Sequence, residues 1–209
     1  MGLPVGDTEL VQIMDVALAD AASRAGSWLA CRPGCTQCCH GAFAINALDA
    51  LRLRTGMEAL REIDMATAEG IEFRSQSWIA EHGADFPGDL TTGLLGSSDD
   101  DQARFEEFAN DAPCPALNPV TGLCEVYAWR PMTCRVFGPP VRMAGGSSLG
   151  CCELCFVGAS ETEIAACEMS VPHELEERLV NELASAANDG QTVPPPEPRD
   201  TVVAFALIS

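Results

Sequence analysis

Cysteine is the residue in this sequence that could do chemistry. Ten of the 11 cysteines fall into three groups. Cys31, Cys35, Cys38 and Cys39 share one short stretch; Cys114, Cys124 and Cys134 follow at equal ten-residue steps; Cys151, Cys152 and Cys155 close the set. Thiolates are soft ligands that prefer zinc, copper(I) and iron–sulfur clusters, and several can reach one site only where loops turn quickly between them. Residues 31–41 carry a proline and two glycines with no periodicity, which suits such a loop. Four thiolates hold one zinc ion or one cubane, so ten could serve one cluster with spares, one cluster plus a zinc, or two sites.

A disulfide framework would use the same residues, but it needs an oxidising compartment. The opening MGLPVGDTEL has neither a basic n-region nor an apolar h-region, and Gly6 stands where a myristoylation pattern wants Ser or Thr. An odd cysteine total also leaves one thiol unpaired. The expectation is a cytoplasmic metal protein. The basic residues number 12, all arginine, against 31 acids for a net charge of −19. Without lysine there is no P-loop, no Schiff base and no lysine general base. The negative field repels phosphate backbones and anionic headgroups, and no apolar run is long enough to span a bilayer, so neither nucleic acid nor membrane is expected as a partner.

Lesser motifs read more plainly. His40 follows Cys39 and could ligate a metal or donate to a cluster sulfur, whereas His82 and His173 read as surface helix ends. Gly146-Ser147-Ser148-Leu149-Gly150 matches a nucleophile elbow but lies between cysteines in a glycine-rich stretch, so it reads as a connector. Asp99, Asp100 and Asp101 read as a helix cap, and Cys167, with no motif around it, as a packing residue.

The stretch at 31–39, with Cys35, Cys38 and Cys39, resembles the opening C-x2-C-x2-C-C motif of a bacterial family, the YkgJ-type cysteine-cluster proteins, described as zinc- or iron-chelating; Cys31 stands one residue farther from Cys35 than that pattern has it. Cys114-Pro115-x-Leu117, then Gly122-x-Cys124, then Tyr127-x-x-Arg130-Pro131-x-x-Cys134-Arg135-x-Phe137, is similar to the family's CP-x-L, G-x-C and Y-x-x-RP-x-x-CR-x-F signature. The resemblance covers roughly residues 31–155 and implies metal or iron–sulfur binding without a particular reaction. Pro115 and Pro131 fix φ, Gly122 permits a tight turn, and Arg130 or Arg135 could offset the charge of a thiolate site as cofactor-binding residues.

The elements that must position these thiols follow from periodicity. Leu10, Ile13, Met14, Ala17, Leu18 and Ala21 predict an amphipathic helix over 8–29. Asn46 can cap a short helix to about Arg54, with Gly56 interrupting before a longer one that carries Leu60, Ile63, Ile71 and Trp78 and stops near Gly83. Residues 83–98 read as a mobile loop, before a short helix with Phe105 and Phe108 inward. From 114 to 155 only brief β-compatible runs occur, at 124–127 and 134–137. Residues 160–189 read as helix, with Pro172 near a first helical position and Leu175, Leu179, Val180 and Leu183 as its stripe; 194–200 reads as a stiff linker and 201–208 as a terminal strand.

The expected architecture is a small, mainly α domain with an irregular, loop-rich metal-binding core and minor β. The expected parts are an N-terminal helix (1–30), a cysteine-cluster domain (31–157), C-terminal helices (158–190) and a linker with a terminal strand (191–209). The candidate ligands are Cys31, Cys35, Cys38, Cys39, Cys114, Cys124, Cys134, Cys151, Cys152 and Cys155. An iron–sulfur cluster in a redox or accessory role toward a protein or redox partner is the first reading; a structural zinc in an interaction module is the second.

Overall fold

The computed structural model describes residues 2–142, 149–187 and 199–208. Helix α1 (Asp7–Ala25) buries Leu10, Met14, Ala21 and Ala25 on one face and ends at Gly26, whose φ of +52° suits glycine. Strand β1 (Ala44–Ile45) leads into α2 (Ala47–Ile63), where the Asn46 side chain accepts from the Asp49 N–H as the sequence predicts. Helix α2 runs straight through Gly56, contrary to the expected interruption. The break falls at Asp64, which ends α2 and caps α3 (Met65–His82) by accepting from the Thr67 N–H. Gly56 serves packing instead: a Cβ there would lie 2.4 Å from the Trp129 ring, so the missing side chain is the slot that Trp129 fills.

Residues 83–98 form structure where a loop was expected, with β2 (Gly88–Asp89) and β3 (Leu94–Leu95) as a hairpin. Helix α4 (Asp99–Glu106) starts on a Ser98/Asp101 capping box, as the acidic run predicts, with Phe108 buried just beyond it. The run at 134–137 is no strand: α5 (Met132–Arg135) is one helical turn after Pro131. Strands β4 (Val141–Arg142) and β5 (Leu149–Gly150) pair antiparallel. The C-terminal helices are α6 (Glu161–Ala166) and α7 (His173–Ala187), with Pro172 at the start of the second as expected.

The tail docks, but only its first residues are extended. Strand β6 (Thr201–Val202) is followed by α8 (Val203–Ala206), a helical turn. Residues 201–207 are all buried, and an apolar run with no exposed face carries no period to separate strand from helix. The elbow serines at 147 and 148 and the proline-rich stretch at 191–198 lie outside the described residues.

Helices dominate the fold. Its larger sheet has four very short antiparallel strands in the order β1-β6-β3-β2, with Ala44 opposite Val202 and both Ile45 and Leu94 opposite Thr201. Leu53, Met57 and Ile71 pack with Leu207 between α2, α3 and the tail. Leu10, Met14 and Leu48 pack with Leu179 where α1, α2 and α7 meet. Trp78, Phe86, Phe108 and Phe205 form an aromatic cluster with ring centroids 4.9 to 5.7 Å apart. Among the described residues no helix is long and apolar enough to cross a membrane.

A buried charge network joins three of these helices. Arg52 on α2 is 2% exposed and pairs with Asp7 of α1 and with Asp49, one turn earlier. Both Asp49 oxygens also accept the Met132 N–H at 3.0 Å, so α2 supplies the cap for α5.

Two stability outcomes follow. Gly to Ala inside a helix normally stabilises by about 0.5–1 kcal/mol; Gly70→Ala should gain less than this, since a Cβ there would stand 3.3 Å from Arg74 Nη1, whose guanidinium Pro115 O and Glu125 hold. Gly56→Ala should instead cost about 1–3 kcal/mol through overpacking, with altered Trp fluorescence, as urea unfolding of both variants would show. Asp49→Ala leaves the Met132 N–H buried without its partner and Arg52 with Asp7 alone, and should cost about 1–3 kcal/mol, whereas Asp20→Ala, at the exposed Arg24 pair, should change stability by about 0.5 kcal/mol or less.

Candidate metal centre

The thiols sit on turns that the sequence itself specifies. Arg32-Pro33-Gly34-Cys35 makes a turn in which the Cys35 N–H reaches Arg32 O at 2.9 Å and Gly34 takes φ of +85°. Proline followed by a left-handed glycine is the signature of a type II turn. Cys38 and Cys39 then lie in a 3-10 turn, Gln37–Cys39, closed by the Cys39 N–H on Thr36 O at 2.8 Å. His40 Nδ1 stands 3.0 Å from the same carbonyl, so that nitrogen is engaged with backbone.

The second thiol segment is zipped to the first by main-chain bonds. The Cys114 N–H donates to Cys39 O at 2.7 Å and the Gly41 N–H to Ala112 O at 2.9 Å, which sets Cys114 beside Cys39. The chain then folds back: Asn118 Oδ1 accepts from Val120 and Thr121 at 2.9 Å, Gly122 turns with φ of +68°, and Leu117 bridges Cys124. Arg74 of α3 fastens this hairpin through Pro115 O at 2.8 Å and an ion pair with Glu125. A 3-10 turn, Tyr127–Trp129, rests Trp129 on Gly56 and leads to α5, which presents Cys134.

These elements enclose a cavity of about 650 Å³ bordered by Cys31, Cys35, Cys38, Cys39, Cys114, Cys124 and Cys134. Within it Cys38, Cys39, Cys114, Cys124 and Cys134 lie in one another's field. The Cys39 thiol, hydrogen-bonded to Cys38, holds Cys38 down to about 6 against its burial, with backbone N–H and Arg130 helping. The same bond pushes Cys39 well up, with burial adding to it. Burial first, then neighbouring thiols, pushes Cys114 up to about 12 and Cys134 well above the ordinary thiol value. Cys124 also rises through burial, although Arg130 opposes the rise.

Cys31, Cys35, Cys152 and Cys155 form the other neighbourhood. The Ala30 N–H lies 3.4 Å from Cys155 Sγ, and Cys31 Sγ lies 2.8 Å from where a Gly138 Cβ would be. The Cys152 N–H meets Gly138 O at 3.4 Å, and the Phe156 N–H donates to Trp28 O at 2.8 Å. Burial, then Cys155, Cys35 and Cys152, pushes the Cys31 thiol up to about 12. Cys151 is exposed, and Cys155 is the thiol whose field reaches it. Cys167 is buried among Ala25, Cys155 and Phe156, as packing requires. Among the described residues, no group of three or more His, Cys, Asp or Glu side chains is set as it stands to hold a metal ion.

The two arginines do different work. Arg130 stacks 3.9 Å from the Tyr127 ring centroid, donates to Tyr127 O at 3.0 Å and lies at the cavity wall. Arg135, 1% exposed, donates to Asp15 at 2.6 Å, Ala128 O at 2.7 Å and Arg130 O at 3.2 Å. It therefore holds the loop on which Arg130 stands. Asp15 and Asp49 are absent from a reading based on thiols, and nothing local marks them: they look like ordinary acids on helices.

No curated protein and no solved structure matches the chain. A family model, CxxCxxCC, "Putative zinc- or iron-chelating domain", matches residues 30–153. That span is more than half of the chain and holds every thiol that borders the cavity, with Cys155 just past its end. The turns, the zipped loops and the arginine that leans over the thiols are thus features of a member of the CxxCxxCC family, to which this chain belongs.

Proposed function

We propose that the protein holds a cubane-type iron–sulfur cluster on Cys38, Cys114, Cys124 and Cys134, and serves as a redox or accessory module for a protein partner. The observation that carries this reading is that Cys38, Cys114, Cys124 and Cys134 come from three separate segments and border one cavity together. A single zinc bound by four thiolates at about 2.3 Å holds its sulfurs about 3.8 Å apart and fills its own cage. A cubane takes its thiolates at wider spacing than a single zinc ion does. When bound, such a cluster supplies one-electron chemistry.

The chain's own residues set the terms of binding. Cys38, lowered by the hydrogen bond from Cys39, is the most readily ionised of the four and offers the first ligand. Cys39 donates to it and is the spare fifth thiol. The others start protonated, so loading releases protons and weakens as pH falls. Arg130 places a permanent positive charge beside Cys38 and Cys124.

Anaerobic purification, with absorption at about 400 nm and iron and sulfide measured on the same sample, tests this. The expected result is a brown protein whose band falls at least tenfold in Cys124→Ser and survives in Cys39→Ser. A colourless protein whose only metal is zinc, bound at these thiols, would overturn it.

A further inference from the structure

The opening motif puts Cys31, Cys35, Cys38 and Cys39 in one run, but the fold divides that run. Cys38 and Cys39 face Cys114, Cys124 and Cys134, whereas Cys31 meets Cys155 from the far end of the thiol region, the two thiols hydrogen-bonded to each other. Main chain on both sides fixes this meeting. The Ala30 N–H, one residue before Cys31, lies 3.4 Å from Cys155 Sγ, and the Phe156 N–H, one residue after Cys155, donates to Trp28 O at 2.8 Å. Phe156 itself takes φ of +58°, a left-handed backbone that a bulky residue adopts only where its surroundings hold it there. Gly138 leaves room on the other flank, since a Cβ there would stand 2.8 Å from Cys31 Sγ.

We propose that Cys31 and Cys155 form a reversible dithiol–disulfide site, apart from the cluster thiols, which a low-molecular-weight disulfide oxidises. Neither sulfur belongs to the four assigned to the cluster, so the site goes beyond that reading. Disulfides that form in a reducing compartment are transient and catalytic or redox-sensing, which describes an exchangeable pair and not a framework.

Exposure sets the order of the steps. Cys31 is exposed and Cys155 is buried, so the oxidant reaches Cys31 first. The Cys31 sulfur, giving up its proton, attacks one sulfur of the incoming disulfide; that S–S bond breaks, one half leaves as a thiol with the proton, and the other half stays on Cys31. Cys155 then attacks the Cys31 sulfur and gives its own proton to the second half, which leaves as a thiol. Two protein thiols are thereby oxidised to one disulfide, and one small disulfide is reduced to two thiols. Excess small thiol runs the same exchange backward.

Cys152 is the competing partner. It also hydrogen-bonds to Cys155, on a turn closed by the Cys155 N–H on Cys152 O at 2.8 Å. The Ala30 N–H decides between them, because it draws the Cys155 sulfur toward the segment of Cys31 and away from its own turn. Cys31 borders the cavity and Cys155 does not, so the bond commits Cys31 to the side away from the cluster thiols.

The test equilibrates the anaerobically purified chain with glutathione and glutathione disulfide in varied ratio, alkylates the remaining thiols, and locates linked peptides by mass spectrometry. The expected result is a bond between Cys31 and Cys155 that rises at least tenfold from the most reducing to the most oxidising mixture and is lost again when glutathione is added back. Cys152→Ser should keep it, and Cys155→Ser should instead hold glutathione on Cys31, since the resolving sulfur is gone. The wild-type map does not depend on either variant folding. A bond from Cys155 to Cys152 or to Cys167, a glutathione adduct on Cys31 as the sole wild-type product, or no oxidation at Cys31 would overturn the site. Iron and the visible band, read on the same samples, report the cluster separately: a colourless chain that forms the bond removes the cluster and leaves this site standing, and a brown chain without the bond does the reverse.

Discussion

One buried carboxylate fixes where the thiol region meets the helical body. Asp49 is 1% exposed, and burial pushes its carboxyl up to about 6 even though Arg52 and the Met132 N–H pull it down. Burying a charge is costly unless its partners are in place. Here they come from different parts of the chain: Arg52 within α2 links Asp49 to Asp7 on α1, and the Met132 N–H belongs to the turn that carries Cys134. Since α5 has only four residues, it could not hold its own direction in water. The helical body therefore dictates the placement of Cys134, and Trp129 against Gly56 fixes the approach to it.

Around that anchor the thiol segments rely on main chain more than on core. The bond from Cys114 to Cys39 O, the Asn118 turn and the Pro33-Gly34 turn bring sulfurs together, while Ala116 and Val126 tie the second segment to the core. Close, desolvated thiols resist ionisation, which is why Cys31, Cys114 and Cys134 all rise. A bound cation reverses that preference, so metal binding and closure of these loops draw on the same free energy.

The parts legible in the sequence were those governed by local rules. The α1 face, the Asn46 cap, the α4 cap and the α7 stripe follow from periodicity and capping, and the thiol loops from glycine, proline and spacing. The misreadings share a cause. Gly56 looks like a breaker until a distant tryptophan occupies the space it leaves, and residues 83–98 look like a loop because Gly88 and Gly93 are needed for close contact with Leu94 and Phe205. The helical turn of the tail was illegible because a run buried on all sides shows no period. Which thiol segments come close was illegible for the same reason: Gly138 stands far along the chain from Cys31, and only folding sets them side by side.

Charge explains why this region suits a cation. The chain carries 31 acids against 12 arginines, and its buried arginines are already engaged, Arg52 with Asp7 and Asp49, Arg135 with Asp15 and two carbonyls. Arg130 shares Asp15 only at 3.4 Å and leans toward Cys38 and Cys124. One guanidinium cannot balance four thiolates. The buried thiols therefore keep their protons until a cation displaces them, and a protein with a net charge of −19 attracts a metal cation while repelling anions. Composition and thiol placement thus agree with the zinc- or iron-chelating description of the family to which the chain belongs.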